Sequence, residues 1–368
     1  MTPVRVLFAG GGTSGHLTPC LAVAQSLLER RPEAKVTFVV SRRSADAAMM
    51  SARDLDYHPI FGTGMPYGIS PATVLSLAHL GVGCIQAMGI IRQVRPQVLF
   101  ATGGFISAAT VLAARTLRVP VMLHACDAMP DRTNRLLARW AASMSVVSDE
   151  AGALLAARHV VVTGQPVRPE VLQADPRQAR DELGIHPSAF VVLVTGGSQG
   201  AETLNRATTG ALPNLLEDPN IHVIHLTGAG KLPDLSQLHT LGLPAERYLV
   251  QEHRSDMSTL LAASDVVVTR AGASSLAEAS AWGRPMIVVP YPYAGGHQHH
   301  NARLYERAGA AWTVEDSDFD APRLVGLINR LREAPCTLHT MSQAAFSMET
   351  RDAAGKITEQ LLTLLPPS

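Results

Sequence analysis

A short apolar, β-branched run that ends directly in glycines and then passes into a helical pattern occurs once in each half of this chain. Residues 4–9 lead into Gly10-Gly11-Gly12-Thr13-Ser14-Gly15-His16, and residues 190–195 into Gly196-Gly197-Ser198-Gln199-Gly200-Ala201. A strand that feeds a helix in this way belongs to a βαβ crossover, so it must lie in a parallel sheet covered by helices. Residues 36–40, 98–101, 119–123 and 144–147 continue the rhythm in the first half, and 221–226, 248–251, 266–269 and 286–289 in the second. With 368 residues there is room for two such domains, each with its own core. The expected fold is therefore α/β, with two Rossmann-like parallel-sheet domains facing a cleft. Residues 160–171, VVVTGQPVRPEV, pass from a strand to Gly164, Pro166 and Pro169, which interrupt regular structure and mark a hinge. From Ala344 the tail has helical spacing and ends in LLTLL, so it packs on one of the domains. The expected divisions are 1–164, 165–343 and 344–368.

Composition narrows the function. Lys plus Arg and Asp plus Glu both total 31, so no field of the whole molecule draws nucleic acid or an anionic membrane. Cys20, Cys84, Cys126 and Cys336 lack CxxC spacing, which argues against zinc, redox or disulfide frameworks and for reduced cytoplasmic thiols. The apolar run at the start is too short for a secretion signal. No stretch reaches the roughly 20 apolar residues of a membrane span, so any membrane contact is expected to be peripheral. Residues 65–95 carry Leu75, Leu77, Leu80, Val82, Ile85, Met88, Ile90 and Ile91 with Arg92 and Arg95. Most of these suit a helix–sheet core, and an exposed subset would dock at an interface.

Glycine loops that open helices let backbone approach a phosphate, and the unpaired N–H groups of the first helical turn favour negative charge. The helix after the first loop is expected to start near Pro19. That loop also satisfies GxGxxG, a weak pattern for dinucleotides; the next strand ends VVSRRS, where only a 2′-phosphate on Arg42 or Arg43 fits, so NADP remains one reading. A third element, Ala101-Thr102-Gly103-Gly104-Phe105-Ile106-Ser107, follows another strand. In the second half, RAGASSLAEAS offers two readings of Glu278. With Ser275 it forms S-x-x-E, a capping box. Alternatively the amides from Ala271 to Ser275 face a diphosphate while Glu278 accepts both hydroxyls of a ribose, for which a carboxylate has the lone pairs.

The strings GGGTSGH, ATGGFIS, TNR, TGQPVR, GGSQGA, RAGASSLAE and GHQHHNA, in this order and spacing, resemble the MurG family of peptidoglycan N-acetylglucosaminyltransferases over nearly the whole chain. The resemblance implies a glycosyltransferase-B fold with an acceptor-binding N-terminal domain, a UDP-GlcNAc-binding C-terminal domain and a last helix packing back on the first. It implies inverting transfer of GlcNAc to the C4 hydroxyl of the muramic acid of undecaprenyl-pyrophosphoryl-MurNAc-pentapeptide, converting lipid I to lipid II. Donor contacts would come from Thr13, Ser14, Gly15, Asn134, Arg168, Ser198, Gln199, Gly200, Ala273, Ser274, Glu278 and Gln298. Among these, Ser198 and its loop would meet the diphosphate with Arg168 nearby, Glu278 the ribose, and Gln298 and Asn134 the hexose. Gly11, Gly12, His16, Gly103 and Gly104 would hold the acceptor diphosphate. The implied location is peripheral, on the cytoplasmic side of the inner (plasma) membrane, beside the undecaprenyl-pyrophosphate-linked acceptor and other cell-wall synthesis proteins. Where the family usually reads His-Glu-Gln-Asn, this chain has His124-Ala125-Cys126-Asp127, and the family's acidic residue before His-Gln is Gly296.

Direct displacement needs a base for the attacking hydroxyl and stabilisation of the departing diphosphate. His16 is the preferred catalytic base, since an imidazole titrates near neutrality; it would otherwise serve only to bind phosphate. Asp127 is the second catalytic candidate. Helix-terminal amides and Arg168 would stabilise UDP, so no cofactor beyond the donor UDP-GlcNAc and no metal is expected, although His297, His299 and His300 also admit a zinc reading. Rival readings are a relative acting on another lipid or aglycone, and a catalytically impaired nucleotide-sugar-binding protein.

Overall fold

The computed structural model describes residues 3–12, 14–62, 71–234, 242, 244–293, 296–348 and 351–366. The chain divides into unit 1, Met1–Pro169 with Arg351–Ser368, and unit 2, Glu170–Thr350. Each break falls a few residues beyond the expected 164/165 and 343/344.

Unit 1 holds strands β1 (Arg5–Ala9), β2 (Lys35–Ser41), β3 (Tyr57–Ile60), β4 (Val98–Ala101), β5 (Val121–Ala125), β6 (Ser143–Val146) and β7 (Val160–Val162) in the order β3-β2-β1-β4-β5-β6-β7. All pairs are parallel. Its helices are α1 (Ser14–Arg30), α2 (Ser44–Ser51), α3 (Pro71–Val94), α4 (Gly104–Thr116), α5 (Arg132–Leu137) and α6 (Asp149–Ala153). Both sheet faces are covered, which is why the central strands read as unbroken apolar runs rather than alternating ones. On one face Leu7, Ala9, Leu99 and Leu123 pack with Ala87 and Ile91 of α3 and Ile106 and Ala109 of α4. On the other, the Phe8 ring lies 5.2 Å from Phe38 and 5.6 Å from Phe100, over Leu17, Leu21 and Leu27 of α1.

Unit 2 repeats the plan with β8 (Phe190–Thr195), β9 (Ile221–Leu226), β10 (Tyr248–Gln251), β11 (Val266–Thr269), β12 (Met286–Val288) and β13 (Ala311–Thr313), ordered β10-β9-β8-β11-β12-β13 and parallel throughout. Its helices are α7 (Pro176–Glu182), α8 (Glu202–Leu215), α9 (Met257–Ala263), α10 (Ala273–Ala281), α11 (His297–Arg307), α12 (Ala321–Arg332) and α13 (Pro335–Phe346). The expected boundary at 343/344 falls inside α13, whose Ser280-to-Ala345 hydrogen bond of 2.7 Å and Met341 tie it to unit 2. Only α14 (Ala353–Leu362) packs on unit 1: Ile357 and Leu361 join the cluster of Phe8 and Leu17, and Arg30 meets Glu359 at 2.8 Å.

Three sequence expectations need correction. Helix α1 begins at Ser14, so Pro19 sits inside it rather than at its start and removes one donor from its ladder. Strands β3 and β13 were not anticipated; both are short sheet edges, and Pro59 within β3 is tolerated there because an edge strand does not need every N–H. Within α3, Leu75–Val94 is long and apolar enough, by length and composition, to cross a membrane, contrary to the expectation that no stretch is. Small residues such as Gly81, Gly83 and Gly89 break the apolar run while charges stay rare until Arg92.

Shortening the fully buried Ile357 to Ala is expected to destabilise unit 1 by about 2–5 kcal/mol. Urea unfolding followed by tryptophan fluorescence would show a lowered midpoint; an unchanged midpoint would mean that α14 adds nothing to that core.

Candidate active site

In unit 1 the chain leaves β1 toward β2 and β4 toward β5, on opposite sides, so the loops at their carboxyl ends diverge at the switch of strand order. Open α/β sheets bind ligands at such a point. Gly11 and Gly12 lie in the loop after β1 with φ of 147° and 84°. A β-carbon on Gly11 would stand 2.6 Å from Asp46 Oδ2, so only glycine allows that carboxylate to close in. Asp46 Oδ2 accepts from the Gly12 N–H at 2.8 Å and from the Ser41 hydroxyl at 2.5 Å. The Gly12 amide expected for the acceptor is thus engaged by the chain's own carboxylate. Thr13 lies outside the described residues. Ser14 and Gly15 open α1, where first-turn amides have no intrahelical partner.

His16 is half-buried, and its Nδ1 lies 3.1 Å from the Thr102 carbonyl oxygen. A carbonyl only accepts, so Nδ1 carries a proton, and in the neutral imidazole the lone pair is then on Nε2. The Thr102 hydroxyl donates back to the His16 carbonyl at 2.7 Å, fixing the loop after β4 against α1. Gly104, with φ of 73°, presents no side chain to the imidazole; a β-carbon there would lie 3.5 Å from Nε2.

Asp131 joins two helix starts. Its Oδ2 accepts from the Gly104 N–H at 3.0 Å and its Oδ1 from the Asn134 N–H at 2.6 Å. The Gly104 amide is therefore also occupied, and Gly103 must lack a β-carbon because one would stand 2.5 Å from Asp131 Oδ2. Asn134 is buried; its Nδ2 donates to the His124 carbonyl at 3.4 Å, while Oδ1 has no partner among the described residues. In the HACD segment, Ala125 is fully buried and Cys126 nearly so, and burial, followed by the Asp127 charge, pushes the Cys126 thiol well above its ordinary range. Only the half-buried Asp127 of these replacements offers a polar group toward solvent. Arg168 falls with unit 1, just before the break.

Unit 2 has the same switch between β8 and β11. After β8 the turn closes on itself: Gly200 N–H donates to the Gly197 carbonyl at 3.0 Å, and Gly197 N–H to the Thr195 hydroxyl at 3.2 Å. Gly200, expected as a donor contact, thus uses its amide within the turn, while Ser198 and Gln199 are exposed at its tip. After β11, α10 starts at Ala273 with Gly272 as its cap and Ser274 as its second residue. Ser275 is then the third helical residue and Glu278 the sixth, so the capping box does not form. Glu278 is buried on that helix instead. Gln298 Oε1 accepts from the Ala271 N–H at 3.0 Å and the Tyr291 N–H at 2.9 Å, and Asn301 Nδ2 donates to the Ala271 carbonyl at 3.0 Å. Ala271 is therefore clamped from α11 and does not offer its amide, whereas the Nε2 donors of Gln298 point to its remaining use. His299 pairs with Glu315 at 3.0 Å, and no group of three or more His, Cys, Asp or Glu suited to a metal occurs among the described residues. Sequence reasoning missed Asp46 and Asp131; only the Asp131-x-x-Asn134 spacing, typical of a helix cap, could have pointed to the second.

Residues 6–146 match the N-terminal domain of glycosyltransferase family 28, and residues 191–357 its C-terminal domain. A protein of Desulforudis audaxviator named UDP-N-acetylglucosamine–N-acetylmuramyl-(pentapeptide) pyrophosphoryl-undecaprenol N-acetylglucosamine transferase is 36% identical, covering 93% of this chain and 93% of its own length. One of the same name from Moorella thermoacetica is 35% identical over 98% of each. The crystal structure of Acinetobacter baumannii MurG superposes with a TM-score of 0.74 at 23% identity, covering 98% of this chain and all of that one. The calicheamicin glycosyltransferase CalG4 gives 0.70 at 15% identity, covering 99% and 98%. At those identities the two structures speak for the fold alone.

Burial pushes His124 from its ordinary 6.5 down to about 4, against the opposing effect of its 2.9 Å bond to Gln165. The unfolded chain protonates first as pH falls, so stability is full above 6.5 and declines until about 4, by up to ~1.4 kcal/mol per pH unit. His124→Gln is expected to flatten this decline in urea titrations at pH 7, 6 and 5; an unaltered slope would assign it to other groups.

Proposed function

The chain belongs to the family of UDP-N-acetylglucosamine–N-acetylmuramyl-(pentapeptide) pyrophosphoryl-undecaprenol N-acetylglucosamine transferases, and on that premise we propose that it makes lipid II. It transfers GlcNAc from UDP-GlcNAc to the C4 hydroxyl of the muramic acid of lipid I, with inversion, in peptidoglycan synthesis. What carries this reading is that the match runs through both domains, the expected acceptor half and the expected donor half alike.

The reaction forms one C–O bond and breaks another. The acceptor C4 oxygen attacks the anomeric carbon, its proton passes to a base, and the electron pair of the anomeric bond leaves on the β-phosphate of UDP. His16 is proposed as the base, because the Thr102 carbonyl holds its proton on Nδ1 and leaves Nε2 able to accept. In unit 2, the exposed tip Ser198-Gln199, with Gly200 shaping the turn, and the opening residues Ala273 and Ser274 of α10 are proposed for the diphosphate. The buried Glu278 is proposed for the ribose hydroxyls and the Gln298 Nε2 donors for the hexose. Asn134 Oδ1, which has no partner among the described residues, suits a sugar hydroxyl, and Arg168, Thr13, Ser14 and Gly15 remain proposed donor contacts. For the acceptor diphosphate, Gly11, Gly12, Gly103 and Gly104 are proposed to give close approach rather than the amides of Gly12 and Gly104 themselves. Asp127 is the second candidate base. The donor brings its own leaving group, so this scheme calls for no added cofactor.

A lipid-linked acceptor places the enzyme at a membrane, and we assign it peripherally to the cytoplasmic side of the inner membrane, among the cell-wall synthesis proteins that supply and consume its lipids. The support lies on α3, where Leu75, Leu77, Val82 and Ile85 are exposed, Ile85 by 67%, with Arg92 exposed near the helix end. Such a line of apolar residues ending in a cation suits the boundary between acyl chains and headgroups. Residues 65–70 of the stretch singled out in the sequence lie outside the described residues.

Incubation with UDP-GlcNAc and a soluble lipid I analogue is expected to release UDP, and His16→Ala to lower turnover about 10²- to 10⁴-fold with donor affinity unchanged. UDP binding without UDP release in the unaltered protein would leave only a binding function. Ile85→Glu is expected to cut binding to anionic phospholipid vesicles about tenfold while turnover of the soluble analogue persists; unchanged vesicle binding would reject this face.

A further inference from the structure

We propose that Lys231 is a further ligand of the donor diphosphate, one that stabilises the charge gathering on it as the sugar departs. The inference rests on the assignment of the turn after β8 to that diphosphate. The chain leaves β9 through Thr227-Gly228-Ala229-Gly230, and this second turn lies back to back with the first. A β-carbon on Gly228 would stand 2.6 Å from Gly200 Cα, and one on Gly200 2.8 Å from Gly228 Cα, so both positions are closed to any side chain. Both also have positive φ, 66° at Gly200 and 89° at Gly228.

The second turn is fixed from several sides. Thr227 N–H donates to the Gln251 carbonyl at 3.0 Å and Gly228 N–H to the Glu252 carbonyl at 2.9 Å. Asn205 of α8 donates through Nδ2 to the Thr227 carbonyl at 2.9 Å, and its Oδ1 lies 3.0 Å from Nε2 of the buried His225. From this base the Lys231 side chain reaches across to the first turn, where Nζ donates to the Gln199 carbonyl at 2.8 Å.

That bond places an ammonium group beside the exposed tip Ser198-Gln199 without neutralising it. A carbonyl takes one of its three donors and none of its charge. Among the described residues Lys231 forms no ion pair, whereas Arg270, at the end of β11, is held by Asp316 at 2.5 Å and by the Val289 carbonyl at 3.1 Å. Lys231 therefore brings to this turn a positive charge that no carboxylate among the described residues neutralises. When the anomeric bond breaks, its electron pair adds negative charge to the β-phosphate oxygen, and a preplaced cation favours that state over the intact donor.

Calorimetry with the full-length protein tests this with two probes, UDP and uridine. Lys231→Ala is expected to weaken UDP roughly 10- to 100-fold and leave uridine unchanged, since only UDP carries the phosphates. Lys231→Arg should restore most of the loss, and the difference should narrow as salt is raised. Equal weakening of UDP and uridine would overturn the proposal, leaving Lys231 as a brace for the turn through Gln199, and so would no change in either. Because Lys231 is exposed, thermal unfolding of the variant should match that of the parent. Failure of the unaltered protein to bind UDP at all would instead overturn the donor assignment, and the proposal with it.

Discussion

At the carboxyl end of a parallel sheet, two neighbouring strands whose chains depart to opposite sides leave a gap that no crossover covers. Here that happens at β1 and β4 in one unit and at β8 and β11 in the other. Most of the residues assigned a chemical role stand on the loops or helix starts beside one of these pairs, and Asp127, Asn134, Lys231 and Gln298 come from the ends of neighbouring strands or the helices that follow them. The glycines follow from the same constraint. Backbone has to turn sharply out of a buried strand and into a helix within a few residues, and at Gly11, Gly103 and Gly200 the space for a β-carbon is already filled by a carboxylate or by another turn.

The loops are held by the protein's own polar groups rather than left bare. Asp46 and Asp131 occupy amides in unit 1, and Gln298 and Asn301 hold Ala271 in unit 2. A carboxylate at a helix start is favoured by the helix dipole and by the bond it accepts, so these contacts set the loop shapes without a ligand. They also divide labour. Amides engaged in this way shape the site, while the groups beside them, such as His16 Nε2 and Gln298 Nε2, keep their capacity for another molecule.

The architecture was legible because buried parallel strands announce themselves: 190–195, 221–226, 248–251 and 266–269 were read with the bounds the structure shows. Two of the four sheet edges are not legible, since β3 contains Pro59 and β13 is three residues long, too short for a pattern. Helix starts were harder still. Pro19 looked like a first-turn proline and Ser275 like a cap, yet the true starts at Ser14 and Ala273 are fixed by glycine-turn geometry, which a one-dimensional pattern does not encode. The clearest loss was at the site itself. That Asp46 would reach Gly12, or Lys231 reach Gln199, depends on which turns become neighbours, and neither spacing in sequence carries that information.

The last helix has a bearing on how such a chain comes into being. Ile357 and Leu361 sit in the same apolar cluster as Leu17 and Phe8, although all of unit 2 intervenes between them in sequence. Domains generally fold as they leave the ribosome, from the first residues onward. For this chain the first sheet emerges with part of one face uncovered, and it stays so through the synthesis of about half the molecule until α14 arrives. The final segment thus acts as a seal on the earliest one, and a ribosome that stops short releases a protein whose oldest domain is the one left open.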